Sequence, residues 1–190
     1  MRIDMKAPSE IHTARLTLVQ PQGRDASEIF DRYSSDPDVT RFLGWPRHQS
    51  IAETQTFLTF SAAEWERWPA GPYLIRSRAD WRLLGGTGLG FETSEEAVTG
   101  YVLAKDAWGQ GYATEALRAV VTLARRVGLV RLSAFCHPEH YASWHVLEKC
   151  GFARDVTWSQ QAEFPNLVRG RLQDVLRYAV VLRTPAVQAG

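Results

Sequence analysis

A chain of 190 residues, 45% apolar and 23% charged, falls in the globular class and has room for one ordinary domain, predicted over 1–183 with a frayed tail at 184–190. Its 22 Lys and Arg against 21 Asp and Glu leave a formal charge of +1, which excludes nucleic-acid binding driven by net charge but allows a local anion site. Cys136 and Cys150 are too few for a disulfide framework and lack zinc spacing, and neither a leader-like segment nor a membrane-length apolar run is present; free thiols and a cytoplasmic location are expected.

In chain order, His12–Val19 alternates like a strand, ended by Pro21 and Gly23. Asp25 precedes a helical stretch from Ala26 to Tyr33 as a candidate cap, and Ser50 with Glu53 forms a capping-box pattern opening a second helix. Between them, Ser35–His48 is rich in Pro, Asp, Gly and rings, a composition that suits a functional loop. Tyr73–Arg78, Leu83–Phe91 and Val98–Ala104 predict an antiparallel meander. From Gly111 the period changes: Ala113, Ala116, Leu117, Val120, Val121 and Ala124 share one helical stripe, and Gly128 stops the helix. Leu132–Cys136 follows as a strand and Tyr141–Cys150 as a helix closed by Gly151; Phe152–Gln160 and Leu172–Leu182 complete the sheet. The pattern predicts an α/β (α+β) fold, with helices on both faces of the sheet.

Two glycine clusters compete as phosphate sites. The run Gly85-Gly86-Thr87-Gly88-Leu89-Gly90 is a poor dinucleotide fingerprint, because a GxGxxG from Gly86 needs glycine at Phe91 and a turn and strand follow instead of a helix. Glycines at a strand bend or a close ligand approach account for it better. Trp108-Gly109-Gln110-Gly111-Tyr112-Ala113 lies between a strand and the most regular helix. Its glycines and the helix's first N–H groups, with the positive end of the macrodipole, form an anion site suited to a pyrophosphate. A Walker site is excluded by the missing GK[ST].

The segment from Gly100-Tyr101 through WGQGYATEAL resembles the acetyl-CoA motif of the GNAT superfamily of N-acetyltransferases, and HPEHYASWHVLEKCGF resembles the motif that follows it. Thr13–Leu16, Ser35–Trp45 and Phe164–Leu167 are similar to the RimJ/RimL-like group of ribosomal-protein N-terminal acetyltransferases, so that the likeness spans about 12–182. The resemblance implies a mixed, mostly antiparallel sheet of six to seven strands splayed at the cofactor site. It implies acetyl-CoA, and no metal, as cofactor. Backbone N–H groups of Gln110, Gly111, Tyr112 and Ala113 would hold the pyrophosphate with Thr114 nearby, Trp108 and Gly109 would complete the turn, and Val102 and Leu103 would pair with the pantetheine arm. His140 stands where the family has an Asn that contacts the cofactor, Leu147 replaces a Tyr used as general acid, and Trp108 stands where the wider family has Gln or Arg.

Acetyl transfer needs a neutral amine, an oxyanion donor and help for the leaving thiolate. With Leu147 unable to donate, Ser143 is the candidate acid, on one helical face with His140; contact with the cofactor is its alternative role. Glu92 is the candidate base, while Trp45 and His48, with Phe42, Leu43 and Pro46, would border the acceptor. An α-amine of pKa about 7.7–8.0 is roughly a tenth neutral at pH 7, whereas a lysine near 10.4 is neutral by only a few parts in ten thousand, so an N-terminal amine is the easier acceptor. A protein N-terminus is therefore the expected partner, a ribosomal one being what the resemblance implies, with no nucleic acid and no membrane involved, in a monomer or homodimer. A small amine such as an antibiotic, polyamine or amino acid, or a non-catalytic acyl-CoA-binding role, remains open.

Overall fold

The computed structural model describes residues 6–156 and 160–183. Its spine is a sheet ordered β1-β2-β3-β4-β5-β6-β9-β7, with β8 also paired to β9. The strands are β1 (Glu10–His12), β2 (Leu16–Val19), β3 (Pro72–Ser77), β4 (Leu83–Phe91), β5 (Glu96–Leu103), β6 (Arg131–Cys136), β7 (Ala153–Arg154), β8 (Gln160–Glu163) and β9 (Leu172–Val181). Every pairing is antiparallel except β5 with β6, which are joined through a helical crossover.

The mixed, mostly antiparallel architecture is the one expected, and the strand count rises to nine for local reasons. The stretch read as one strand over His12–Val19 folds back on itself. Thr13 Oγ1 accepts from the Leu16 N–H at 3.0 Å, closing a turn that pairs β1 with β2. The strand expected over Phe152–Gln160 shortens to β7; residues 157–159 lie outside the described residues, and β8 begins at Gln160. The tail expected at 184–190 also lies outside them.

Among the described residues five α-helices accompany the sheet: α1 (Ala26–Ile29, continued by a wider turn to Ser34), α2 (Pro37–Thr40), α3 (Ile51–Arg67), α4 (Tyr112–Arg126) and α5 (Tyr141–Lys149). Helix α2 lies within the segment read as a loop, where the Asp36 carboxylate accepts from the Asp38 and Val39 N–H groups with Pro37 in the first turn. Asp25 does not cap α1. Its carboxylate instead accepts from the Gln22 N–H and the buried Arg76 guanidinium, which Glu28 also holds. At α3 the Ser50 side chain makes no cap bond, and the Glu53 carboxylate takes the Gln49 N–H.

Helix α4 buries Ala116, Leu117, Val120, Val121, Leu123 and Ala124, close to the stripe read from the sequence. It packs with Leu16, Leu18, Tyr73, Ile75 and Leu132 in the larger core cluster. Each fully buried Leu there contributes about 1.5–3 kcal/mol. A smaller cluster on the other side of the sheet joins Ala26, Ile29 and Tyr33 to Leu58 and Leu74. Between these cores the central strands carry the site.

Candidate active site

The turn from Trp108 to Thr114 is tied down on every side. Trp108 Nε1 donates to the Leu103 carbonyl at 2.8 Å, Gln110 Nε2 to the Asp106 carbonyl at 2.8 Å, and Arg15 Nη1 to the Gln110 carbonyl at 2.9 Å. Gly109 and Gly111 have φ of +72° and +78°, a region other residues enter at a cost. Gly111 is the N-cap of α4 and no side chain caps that helix, so its first N–H groups remain open to a ligand. Glu115 braces the turn from inside the first helical turn. Its carboxylate accepts from the Thr13 hydroxyl (2.6 Å), the Arg15 N–H (2.8 Å) and Arg15 Nε (2.7 Å). Burial pulls its pKa upward, but those hydrogen bonds and the Arg15 charge outweigh it and hold the carboxyl below its usual value. A groove beside the turn, lined by Arg15, Gly111, Thr114, Arg118, Arg126 and Lys149, is basic at several points.

Strands β5 and β6 pair only from Glu96↔Arg131 to Val98↔Ser133, although they continue to Leu103 and Cys136. Beyond Val98 they part, leaving an open gap whose walls include Tyr101, Val102, Ala134 and Cys136. Alternation decides which backbone groups face it. Ala104 N–H donates to the Leu84 carbonyl on β4, so Val102, two residues back, also turns its backbone toward β4, while Tyr101 and Leu103 face the gap. The Val102 backbone is thus turned to β4 and the Leu103 N–H to the gap, whereas both residues are expected to offer backbone groups to a pantetheine arm. The Leu103 carbonyl is taken by Trp108. The same ladder explains Gly85, where a Cβ would lie 1.9 Å from the Val102 carbonyl oxygen.

The gap opens into a cavity of about 790 Å³. At one wall the Tyr101 hydroxyl donates to the Ser143 carbonyl at 2.6 Å; its single proton being committed there, the 3.1 Å contact with Ser143 Oγ has the serine donating. Burial raises the Tyr101 pKa, the hydrogen bond to Ser143 opposing it, and keeps the phenol protonated. His140, just before α5, stacks on Phe42 with ring centroids 4.9 Å apart, and among the described residues its ring nitrogens have no hydrogen-bond partner. Burial, assisted by the neighbouring His137, lowers its pKa, leaving a neutral imidazole at pH 7.

The opposite wall comes from the loop Phe42–His48 and from α3. Asn166 fastens that loop, donating to the Thr40 and Trp45 carbonyls at 2.7 and 2.9 Å and accepting from the Arg47 N–H at 2.8 Å. Trp45 and His48 both line the cavity, with ring centroids 5.2 Å apart, and His48 Nδ1 is 2.8 Å from Thr54 Oγ1. The cavity's charged groups among the described residues are the carboxylates Glu53, Glu64 and Glu163; no lysine or arginine lines it.

An uncapped helix start preceded by two left-handed glycines, beside a parallel strand pair that separates, is a distinctive combination, and the comparisons with known proteins agree with it. Residues 15–153 match the acetyltransferase (GNAT) domain. The chain belongs to the GNAT acetyltransferase family. The Bacillus subtilis N-acetyltransferase YoaA is 29% identical over 148 residues, 76% of this chain and 83% of that protein. Among solved structures, the ribosomal L7/L12 alpha-N-protein acetyltransferase RimL in complex with coenzyme A superposes with a TM-score of 0.79 at 23% identity, covering 90% of this chain and 97% of that one. The microcin C7 self-immunity acetyltransferase MccE, in complex with acetyl-CoA and AMP, gives 0.80 at 21% identity, covering 92% and 97%. At such identities these two neighbours speak for the fold.

Within this GNAT scaffold half of the residues singled out from sequence line the cavity or the groove. Ser143, His140, Val102, Trp45 and His48 line the cavity, while Gly111 and Thr114 line the adjacent groove. Glu92 does not join them. It is exposed in the hairpin between β4 and β5, its N–H donating to the Glu96 carbonyl, and it is not part of the cavity wall. Sequence reasoning missed Tyr101, Arg15, Glu115 and the α3 carboxylates. Tyr101 was readable only as a strand residue, because its partner lies 42 positions away. Among the described residues no three His, Cys, Asp or Glu side chains gather as metal ligands would, and no helix is long and apolar enough to cross a membrane.

Proposed function

We propose that the protein uses acetyl-CoA to acetylate the α-amine at the N-terminus of a peptide or protein. The observation that carries this reading is the parting of β5 from β6 next to the uncapped start of α4. The residues fit such a cofactor: open N–H groups at Tyr112, Ala113 and Thr114 suit a pyrophosphate, Arg118, Arg126 and Lys149 line the neighbouring groove, and the unpaired inner edge of β5 suits an extended amide-bearing arm. Bound acetyl-CoA supplies the activated acyl group.

The chain's own residues then act as follows. The carboxylates Glu53, Glu64 and Glu163 give the cavity a negative potential that favours a protonated amine over an anion. His140, whose ring nitrogens have no hydrogen-bond partner among the described residues, accepts the proton that the ammonium must lose. Ser143 Oγ, 3.1 Å from the Tyr101 hydroxyl, turns its proton from Tyr101 to the departing thiolate and regains one from the newly acylated nitrogen, which sheds its second proton as the amide forms. With imidazoles and carboxylates lining the cavity, none of them a strong base, an α-amine is a far easier acceptor than a lysine. The likeness to RimL supports the same choice.

Calorimetric titration with coenzyme A, followed by thiol-release assays on a panel of peptides and small amines, tests this reading. Micromolar binding with turnover on peptides is expected. Turnover only on small amines overturns the peptide acceptor, and binding without turnover overturns the enzymatic reading in favour of an acyl-CoA-binding role.

A further inference from the structure

The glycine run rejected as a nucleotide fingerprint has a structural consequence at the cavity. Strand alternation puts Gly86, Gly88 and Gly90 of β4 on one face, and the ladder places Gly86 beside Leu74 and Val102, Gly88 beside Pro72 and Gly100, and Gly90 beside Val98. All of these residues line the cavity. Of these glycines Gly100 is the one with open space where a side chain would stand, a Cβ built there meeting nothing within 4 Å, whereas a Cβ would lie 3.3 Å from Tyr33 Oη at Gly86, 3.2 Å from Val98 Cγ2 at Gly90 and 2.6 Å from Pro72 Cα at Gly88. The cleared floor faces rings: Phe57 and Phe60 from α3, Phe42 and Trp45 from the loop, Phe135 from β6, and Phe164. Phe60 is 55% exposed, a large ring without a full apolar cover. An apolar chamber of this kind, next to the acyl-transfer gap and with carboxylates as its only formal charges among the described residues, selects more than an amine.

We propose that the acceptor bears a large apolar group beside its amine and no carboxylate close to it, as does an N-terminal residue with a leucine- or phenylalanine-like side chain. The proposal rests on the acetyl-transfer reading and specifies its substrate class. The side chain occupies the space above Gly100 and covers Phe60. The ammonium is drawn by Glu53, Glu64 and Glu163, which equally disfavour the carboxylate of a free amino acid. Small polar first residues leave the chamber partly empty and forgo that contact.

The test is a set of kcat/KM values for pentapeptides differing only in the first residue (Leu, Phe, Ala, Ser), and for the matching amino-acid amides. Leu and Phe are expected to exceed Ser by about tenfold or more in at least one format, the scale on which apolar pockets discriminate. Gly100→Leu, which puts a side chain into the open floor, is expected to compress the Leu-to-Ala ratio toward unity, and Phe60→Ala gives an independent reduction should the first variant not fold. Rates for Ser and Ala equal to or above those for Leu and Phe in both formats overturn the inference while leaving acetyl transfer intact. An apolar preference seen with amides alone supports the inference and overturns the peptide acceptor. No turnover in either format, with coenzyme A bound, overturns both.

Discussion

Replacing Gly111 by proline attacks the anion site at its most constrained point. Gly111 has φ +78°, whereas proline is locked near about −65° and has no N–H. The ring therefore cannot take up the native turn, and the first N–H groups of α4 are re-aimed. Losing one hydrogen bond to a charged phosphate costs about 1.5–3 kcal/mol, or roughly ten- to 150-fold in affinity, before any displacement of its neighbours is counted. Gly111→Ala is the control. Its Cβ would sit 3.5 Å from Arg15 Nη2, an ordinary contact, so only the left-handed backbone is penalised. That penalty is about 1–2 kcal/mol, a fall in Tm of about 2–8 °C for a chain of this size. The alanine turn keeps its shape, so coenzyme A affinity should change by less than about fivefold (about 1 kcal/mol). Calorimetry with coenzyme A, with circular dichroism to verify folding, separates the two. A folded Gly111→Pro protein that binds coenzyme A within threefold of wild type refutes the phosphate assignment.

Removing Glu115 should loosen the same turn. Glu115→Ala forfeits bonds from Thr13 and Arg15, an expected loss of about 2–3 kcal/mol in urea unfolding at pH 7. Because the folded pKa of Glu115 lies below its unfolded value near 4.5, its contribution is present above that value and lost as pH falls through the folded one, so the wild-type advantage should shrink in acid; an advantage unchanged at pH 3 contradicts the argument. Tyr101→Phe and Ser143→Ala should each lower kcat, with the KM for acetyl-CoA within about threefold (about 0.7 kcal/mol) of wild type, and unchanged turnover at saturation in Ser143→Ala removes it as the acid. The pKa values of His48 and His140 are both depressed below 6.5 by burial. The unfolded chain therefore takes up their protons first, so stability should be highest above pH 6.5 and decline as pH falls. The double variant His48→Asn, His140→Asn should flatten the decline between pH 7 and 5 in thermal melts, and an identical slope argues against burial as its cause.

The helix start at Gly111 and the α4 stripe were legible because both are local: a glycine turn and a 3.6-residue period lie within a few positions of each other. The β3–β4–β5 meander was legible for the same reason. What escaped depends on pairing across the fold. The separation of β5 from β6 depends on a register between segments more than thirty residues apart, and which backbone groups of Val102 and Leu103 face the gap cannot be read without the alternation relative to β4. Glu92 lies in sequence beside a strand that borders the cleft, but the hairpin carries it away from the cavity, while α3 brings in Glu53 and Glu64 from a distant segment. Asp25 and Ser50 illustrate how tertiary partners override local caps: a buried guanidinium, Arg76, claims the first carboxylate. The glycine run, readable only as permissive backbone, acquires its meaning from the ladder that stacks Gly88 beside Gly100.

The central claim is acetyl transfer to a peptide α-amine. It is tested most directly by incubating the protein and acetyl-CoA with a peptide carrying one free α-amine and one lysine, then locating the acetyl group by tandem mass spectrometry while free thiol is counted. The account predicts one acetyl group on the α-amine for each thiol released, with the lysine unmodified. Acetylation of the lysine in preference to the α-amine, or thiol release with no acetylated peptide, contradicts it.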